Sequence, residues 1–565
     1  ISGDLSRQID RNKLEVMGKV WSVDAVEKNG STDIYGQTTT IAESQFDENT
    51  VYVGTDDGLI QITNDGGKTW TKVDGIAGVP ERTYVNQIIA SQHDRNVAYV
   101  TFNHHRYGDF HPYVYKTTDG GKTWKAIQNN LPERGTAYTI AEDHVNANLL
   151  FVGTEFGVYF SVDGGTEWVP LKNGLPTIAV KDIAIQKREN DLVLATFGRG
   201  FYVLDDYTPL RNFKKEDLTK AATIYPVKDA LMYIESLPLG VRGKGFQGED
   251  FFTTPNPKVG AVFSYYLKDD IKTIKEKRRE AEKEKIKKGE PPYYPSLDSL
   301  RREDEQPSPH LLFTVSDENN NVIRRIKAPA KKGLNRIIWD FRYAPFGPVD
   351  LSQFDESFVF SAPEIGYMAL PGNYKVSLSK FEDGVYTELV AAQPFKAVAL
   401  NNASLPVTDK KALEDFCKQV AELRRVSAAA DEYRSEMVNK VRYFKQAVIE
   451  TPTLPLTVSK TIATIEKRLI DVNTRLNGDA TLTRREFESS PSINERIGTI
   501  VGGLWRTTAA PTTTYINSYQ AAARQFTSVY NELKAIGVDI KNLENILEAN
   551  KAPYTPGRLP DWQGN

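Results

Sequence analysis

Three copies of one short motif constrain this chain more than anything else in it: Thr63-Asn-Asp-Gly-Gly-Lys-Thr-Trp70, Thr117-Thr-Asp-Gly-Gly-Lys-Thr-Trp124 and Ser161-Val-Asp-Gly-Gly-Thr-Glu-Trp168. Their aspartates, Asp65, Asp119 and Asp163, lie 54 and 44 residues apart. Repeats of this period, each preceded by strand-like sequence, predict β-propeller blades. The motif reads as a turn. Asp supplies a side chain that bonds its own backbone, and the two glycines accept positive φ. The Trp then carries a large apolar surface toward the space between sheets.

Reading outward from each motif completes a blade. Val51-Tyr-Val-Gly-Thr-Asp-Asp-Gly-Leu-Ile-Gln-Ile-Thr63 is strand, turn, strand, and Leu150-Phe-Val-Gly-Thr-Glu-Phe-Gly-Val-Tyr-Phe-Ser161 repeats it. Leu192–Leu204 is a fourth copy whose motif has decayed to Asp205-Asp206-Tyr207. The second copy, Ala98 to Lys116, carries the longer connection Asn103-His-His-Arg-Tyr-Gly-Asp-Phe-His111. Further strands are expected upstream at Thr38–Glu43, Val85–Ala90, Tyr138–Glu142 and Val180–Ile185. About four blades therefore cover Thr38 to Asp206. The opening Ile1-Ser-Gly-Asp-Leu5 looks like the tail that follows Trp124 and Trp168, without its head. The expectation is a larger propeller, with residues 1–213 as its C-terminal blades and a missing N-terminal half or a partner chain completing the ring.

Beyond Arg211–Thr219 the strands return without the motif. Gly260–Leu267, His310–Val315, Asn335–Arg342 and Gly372–Leu378 predict an immunoglobulin-like β-sandwich over 214–400. A helical insertion is expected near 268–308, because Lys272–Lys288 alternates charges without an apolar stripe and reads as a solvated helix. From Thr408 the period becomes helical. The stripes Leu413, Phe416, Val420, Leu423 and Ile462, Ile465, Leu469, Val472, Leu476 define two helices, the second stopped by Asn477-Gly478. Ser492-Ile-Asn-Glu495 caps a third. Tyr515, Tyr519, Phe526 and Leu533 define a fourth, ended near Gly537. Residues 401–552 are thus a helical bundle, and 553–565 an extended Pro-rich tail. The fold class is mainly β, then α.

Composition bounds the function. The formal net charge is −3, which argues against a general nucleic-acid or anionic-membrane binder. No apolar run reaches the roughly 20 residues of a membrane span. The single cysteine, Cys417, excludes an intrachain disulfide framework and a Cys-based zinc site.

The repeated motif is the Asp-box, or bacterial neuraminidase repeat. With it, Ile1-Ser-Gly-Asp-Leu5, Val53-Gly-Thr-Asp-Asp-Gly-Leu59, His111-Pro-Tyr-Val-Tyr-Lys-Thr-Thr-Asp119, Ala195-Thr-Phe-Gly-Arg-Gly-Phe201 and Gly333-Leu-Asn-Arg-Ile-Ile-Trp-Asp-Phe-Arg342 resemble the secreted bacterial sortilin-like Asp-box proteins. Proteins of that family often carry a glycosyl hydrolase label. The resemblance implies export to the periplasm or cell surface. The function expected is binding of peptide, glycan or protein partners as part of a larger surface or periplasmic assembly, with hydrolysis of a polysaccharide by a carboxylate pair on the propeller face as the alternative. The resemblance supplies no reaction, because the label rests on the repeat.

Asp-box turns join third and fourth strands, so the turns between second and third strands lie at the opposite end, where propeller ligands usually bind. Candidate ligand-binding residues there are Asp56, His104, His105, Arg106, Tyr107, Phe156 and Arg199. A glycosidase would need two carboxylates about 5 to 9.5 Å apart. Asp57 and Glu155 are the candidates, set against their reading as equivalent hairpin-turn acids. His104, His105 and His111 invite a metal. Neighbouring side chains on an extended segment diverge, however, so no metal and no cofactor is expected. The structural residues are Asp65, Trp70, Asp119, Trp124, Asp163 and Trp168.

Overall fold

The structure is a computed structural model that describes residues 2–15, 18–21, 36–235, 248, 253–352, 363–402, 405, 407–562 and 564. Ile1 lies outside the described residues. The chain forms two compact units, Ile1–Glu216 and Asp217–Asn565.

The first unit is a series of antiparallel meanders of propeller type. Sheet one holds β1–β4 (Thr38–Glu43, Val51–Thr55, Leu59–Thr63, Thr71–Asp74). Sheet two holds β5–β8 (Tyr84–Ala90, Ala98–Asn103, Tyr113–Thr117, Lys125–Ala126). Sheet three holds β9–β12 (Ala137–Glu142, Leu150–Thr154, Gly157–Ser161, Val169–Leu171). Sheet four has three strands, β13–β15 (Val180–Gln186, Asp191–Thr196, Phe201–Leu204), and leads into the short α1 (Pro209–Asn212).

Each neighbouring pair of sheets buries its own core. Tyr52, Ile60 and Ile62 meet Val85, Val100 and Phe102 between sheets one and two. Tyr99 and Val114 meet Ile140, Val152 and Trp168 between two and three. Phe151 and Val158 meet Val180, Leu192 and Leu194 between three and four. First strands run beside first strands. A Cβ on Gly54 would stand 2.4 Å from Val85 Cγ1, and one on Gly153 would stand 2.7 Å from the Val180 carbonyl oxygen. The Val-Gly-Thr glycines thus set the inter-sheet distance.

The Asp-Gly-Gly turns close as their chemistry requires. The hydroxyls of Thr63, Thr117 and Ser161 donate to Asp65, Asp119 and Asp163 at 2.7–2.8 Å. Each aspartate also accepts backbone N–H groups from the residues that follow, and the glycines take positive φ. The threonine hydroxyl and N–H of Thr123 hold the Asp119 carboxyl at about 2. Trp168 is buried between sheets two and three, its indole N–H on the Ile127 carbonyl at 2.7 Å. Trp70 and Trp124 are half-buried and bond their own turns instead, at 3.2 and 3.1 Å.

The strands of the second unit span Ala222–Ile224 (β16), Ala230–Met232 (β17), Ala261–Leu267 (β18), His310–Asp317 (β19), Val322–Ala328 (β20), Gly333–Trp339 (β21), Gly372–Glu382 (β22) and Val385–Ala399 (β23). A three-stranded sheet, ordered β16-β18-β21, and a five-stranded sheet, ordered β17-β23-β22-β19-β20, enclose one core around Phe263, Phe313, Trp339 and Phe395. Between β18 and β19 come α2 (Ile274–Lys287), capped by a Thr273/Glu276 box and with no buried residue, and α3 (Leu297–Glu305). Arg278 grips Glu303 across them through two bonds of 2.6 and 2.8 Å.

The C-terminal helices are α4 (Lys410–Glu450), α5 (Val458–Asn477), the short α6 (Ala480–Thr483), α7 (Ile493–Leu504) and α8 (Thr513–Ala549). The apolar stripes interlock as one core, and the Ser492/Glu495 capping box forms. One expectation is corrected: α8 does not end near Gly537 but continues to Ala549. A Cβ at Gly537 would lie 2.7 Å from the Tyr433 hydroxyl, so this glycine lets α4 and α8 approach. The tail also departs from an extended course. Arg558 is buried, donates to the Ala552 carbonyl at 2.7 Å and pairs with Glu548 of α8.

Candidate functional site

The strand register builds the site. Each first strand carries one extra residue against its neighbour: Thr38 and Thr40 pair with Thr55 and Gly54, Val85 and Gln87 with Phe102 and Thr101, Ala137 and Thr139 with Thr154 and Gly153, and Val180 and Asp182 with Thr196 and Ala195. The residues left over are Thr39, Asn86, Tyr138 and Lys181. Such bulges twist the strand and re-aim a side chain. Because all four fall at the same place, one bulge residue from each sheet emerges at the end that carries the turns between second and third strands.

These residues reach for one another. Thr39 donates to the Val85 carbonyl of sheet two at 2.6 Å. The Asn86 amide donates to the Tyr138 carbonyl of sheet three. Lys181 of sheet four holds its ammonium 3.2 Å from the centre of the Tyr138 ring, a cation–π contact. Asn86, Tyr138 and Lys181 then line a cleft of about 270 Å³ with Tyr84, Asn103, His105 and Arg106.

The long β6–β7 loop supplies the rest of the wall. His105 turns back on the Asn103 side chain, its backbone N–H 3.1 Å from Oδ1. Arg106 places its guanidinium 5.7 Å over the Tyr84 ring. His104 points elsewhere, stacked on Tyr107 at 4.5 Å with Nδ1 3.0 Å from the Thr83 hydroxyl. Asp109 is occupied by the His111 N–H and the Tyr113 hydroxyl. Among the described residues no cluster of three His, Cys, Asp or Glu side chains is arranged to hold a metal ion. Burial pushes the His105 imidazole below the ordinary 6.5, and Arg106 and Lys181 push the same way while Glu155 opposes them. Partial burial also lowers Lys181, against the pull of Glu155.

The carboxylates have unequal surroundings. Glu155 accepts from the Tyr138 hydroxyl at the edge of the cleft. Burial first, then Glu155, raises the pKa of that phenol. Asp57 is fully buried. Its Oδ2 accepts the Arg7 backbone N–H at 2.7 Å, its Oδ1 accepts the Thr55 hydroxyl, and Arg7 Nε bonds its carbonyl. Asp56 is likewise committed, to the N–H groups of Gly36 and Gln37 at 2.9 Å. Phe156 and Arg199 are exposed on their turns and do not line the cleft.

Of the candidates read from the sequence, His105 and Arg106 line this cleft and Glu155 is bonded to Tyr138 beside it, while Tyr84, Asn86, Asn103, Tyr138 and Lys181 line it without having been candidates. The available signal was alignment of the four first strands, where Thr39, Asn86, Tyr138 and Lys181 occupy one column.

Residues 19–229 match the family model described as DUF6242 beta propeller domain, which marks that stretch as β-propeller. No curated protein matches the chain. Similar solved structures include the GH74 enzyme of Niastella koreensis, at 15% identity over 30% of this chain and 29% of that one, with a TM-score of 0.25. YCF48 bound to D1 peptide is 16% identical over 30% of this chain and 51% of that one, with a TM-score of 0.25. The extracellular domain of the putative hybrid two component system BT4673 from B. thetaiotaomicron is 17% identical over 32% and 22%, also with a TM-score of 0.25. The chain spans about half of the YCF48 structure and under a third of the other two.

Proposed function

We propose that the first unit is a binding module whose bulge-lined cleft holds a carboxylate-bearing glycan. The observation that carries this reading is the convergence of Asn86, Tyr138 and Lys181, one per sheet, on a cleft shared with Arg106 and His105. Aromatic rings offer stacking surface to a sugar, the Asn86 and Asn103 amides suit its hydroxyls, and Lys181 with Arg106 suits a carboxylate. An acidic peptide would use the same cations and is the second occupant to test.

Hydrolysis fits less well. Asp57 has both oxygens engaged and no exposure. Glu155, beside the cleft, is tied to a phenol whose raised pKa suits a hydrogen-bond donor better than a nucleophile. We also take the four sheets as consecutive Asp-box blades of a sortilin-like propeller that acts outside the cytoplasm. The ring would be completed by further blades or by a partner chain, and the two-sheet part of the second unit would be immunoglobulin-like. The third strand of sheet four supports an incomplete ring, since Phe201 and Val203 on it are exposed.

The reading is tested with oligogalacturonate as an acidic probe and xyloglucan oligosaccharides as a neutral one. Lys181→Ala should weaken the acidic probe about tenfold and leave the protein folded, as expected for one lost charge-assisted contact of about 1.4 kcal/mol. Affinity should also rise as pH falls through the depressed pKa of His105, below 6.5, because only the imidazolium attracts the carboxylate. An affinity that stays flat from above 6.5 down to the range where the galacturonate carboxyl itself protonates would remove His105 from the site.

A further inference from the structure

A cavity of about 390 Å³ lies in the second unit. That volume falls in the range of about 300–1,000 Å³ typical of small-molecule sites. It sits where the ends of β17 and β23 meet the start of α4 and the end of α7. Met232, Tyr367, Ala369, Cys417 and Leu504 form its apolar floor, all buried.

Its charged groups are Lys410, Glu414 and Arg506. Glu414 already has partners, with Lys418 at 3.1 Å, Lys411 at 3.5 Å and the Tyr343 hydroxyl at 3.2 Å. The side chains of Lys410 and Arg506 have no hydrogen-bond or ion-pair partner among the described residues. A second guanidinium lies outside the lining but close enough to feel the charge of Arg506. Among the described residues, the Arg342 guanidinium is bonded to the carbonyls of Gly366 and Trp505, at 3.0 and 2.9 Å. Burial lowers its pKa first, Asp340 opposes this, and the charge of Arg506 lowers it further. The two guanidiniums therefore repel each other, and an anion placed beside Arg506 would relieve the repulsion.

We propose that this cavity binds a monoanionic amphiphile, a carboxylate joined to an apolar chain. The chain lies on the Tyr367–Cys417–Leu504 floor and the carboxylate sits at Arg506 and Lys410. Glu414, facing the same space, selects against a dianion. The site is separate from the propeller cleft and independent of the function proposed for it.

Cys417 makes the test direct, because it lines the cavity and is the single cysteine of the chain. Burial, then Glu414, pushes its thiol up to about 12, so labelling by a maleimide reports opening of the floor. The full chain is titrated with octanoate and decanoate, with decanol and decyltrimethylammonium as uncharged and cationic controls, all below their aggregation concentrations. Decanoate should slow labelling saturably. The gain over octanoate should be up to about fourfold per methylene, the value for a buried CH₂. Arg506→Gln, at an exposed position, should weaken decanoate about tenfold and leave decanol unchanged. Equal effects of all three ten-carbon compounds, an unaltered or faster labelling rate, or an undiminished decanoate affinity in Arg506→Gln would each overturn the assignment.

Discussion

Arg211→Ala is expected to destabilise the first unit by about 3–5 kcal/mol, the usual cost of stranding one member of a buried ion pair. Asp143 has no exposed side-chain surface. Arg211 meets it with two bonds, Nε at 2.8 Å and Nη2 at 2.7 Å, and Tyr207 donates a third at 2.6 Å. Asp143 follows the first strand of sheet three, while Tyr207 and Arg211 lie in and beside α1, beyond sheet four. The pair therefore fastens the end of the propeller-like series. Without Arg211 the carboxylate is left in a dry site with neutral donors only. Guanidinium denaturation followed by tryptophan fluorescence checks the loss. The double variant Asp143→Asn/Arg211→Met should be less damaging than Arg211→Ala, because it leaves no charge behind. A single variant within about 1 kcal/mol of the parent, in the range of surface pairs, would refute the buried reading.

The same pair gives a pH dependence. Burial alone would raise the Asp143 carboxyl, but Arg211, Tyr207 and the Asn146 N–H outweigh it and hold the pKa below the ordinary 3.8. A depressed folded pKa contributes stability that is fully present above the unfolded value and disappears as pH falls through the folded one. This part of the stability should therefore be lost in the acid range beneath 3.8, and the loss should be absent in Asp143→Asn.

The second large effect is expected at Gly153. Its missing side chain leaves room for the first strand of sheet four, and an added Cβ would stand 2.5 Å from Thr139 Cγ2, 2.7 Å from the Val180 carbonyl and 2.9 Å from Val180 Cγ1. Overpacking costs about 1–3 kcal/mol, and Gly153→Ala should fall at the upper end because backbone as well as side chain must move. The strand that must shift begins Val180-Lys181, so the change should also displace the ammonium from the Tyr138 ring. The expected result is a lowered denaturation midpoint together with weaker binding of the acidic probe. Gly157→Ala is the control. No atom lies within 4 Å of a Cβ there, so crowding is absent and only the strain of its positive φ remains. Equal binding loss in both variants would indicate a general backbone effect in place of inter-sheet crowding.

These residues also mark how far the sequence could be read. The Asp-Gly-Gly motif shows its turn because its chemistry is local: the bonds that Asp65 accepts from Thr63 and from Thr69 span two and four residues. The helical stripes were legible for the same reason, since Ile462 to Leu476 repeat with the period of one helix and all face one core. Asp57 was not. Its hairpin sequence matches that of a solvated turn acid, and what commits it is the Arg7 backbone, 50 residues away. Gly537 sits where a helix stop would sit, and only the Tyr433 hydroxyl of another helix shows it to be a packing glycine. The bulge residues were hidden most completely. A bulge changes the pairing register and not the composition, so Asn86, Tyr138 and Lys181 look like ordinary strand residues until their neighbours are paired.

Bulge residues of successive sheets are proposed to form one ligand-binding cleft that does not hydrolyse its occupant. The most direct measurement is calorimetric titration of oligogalacturonate into the full chain, into Lys181→Ala and into Glu155→Gln, with reducing ends assayed in each mixture. Binding should be weakened about tenfold in Lys181→Ala, retained in Glu155→Gln and accompanied by no new reducing ends. Reducing ends that accumulate with the parent and vanish in Glu155→Gln, or binding that is indifferent to Lys181, would contradict the proposal.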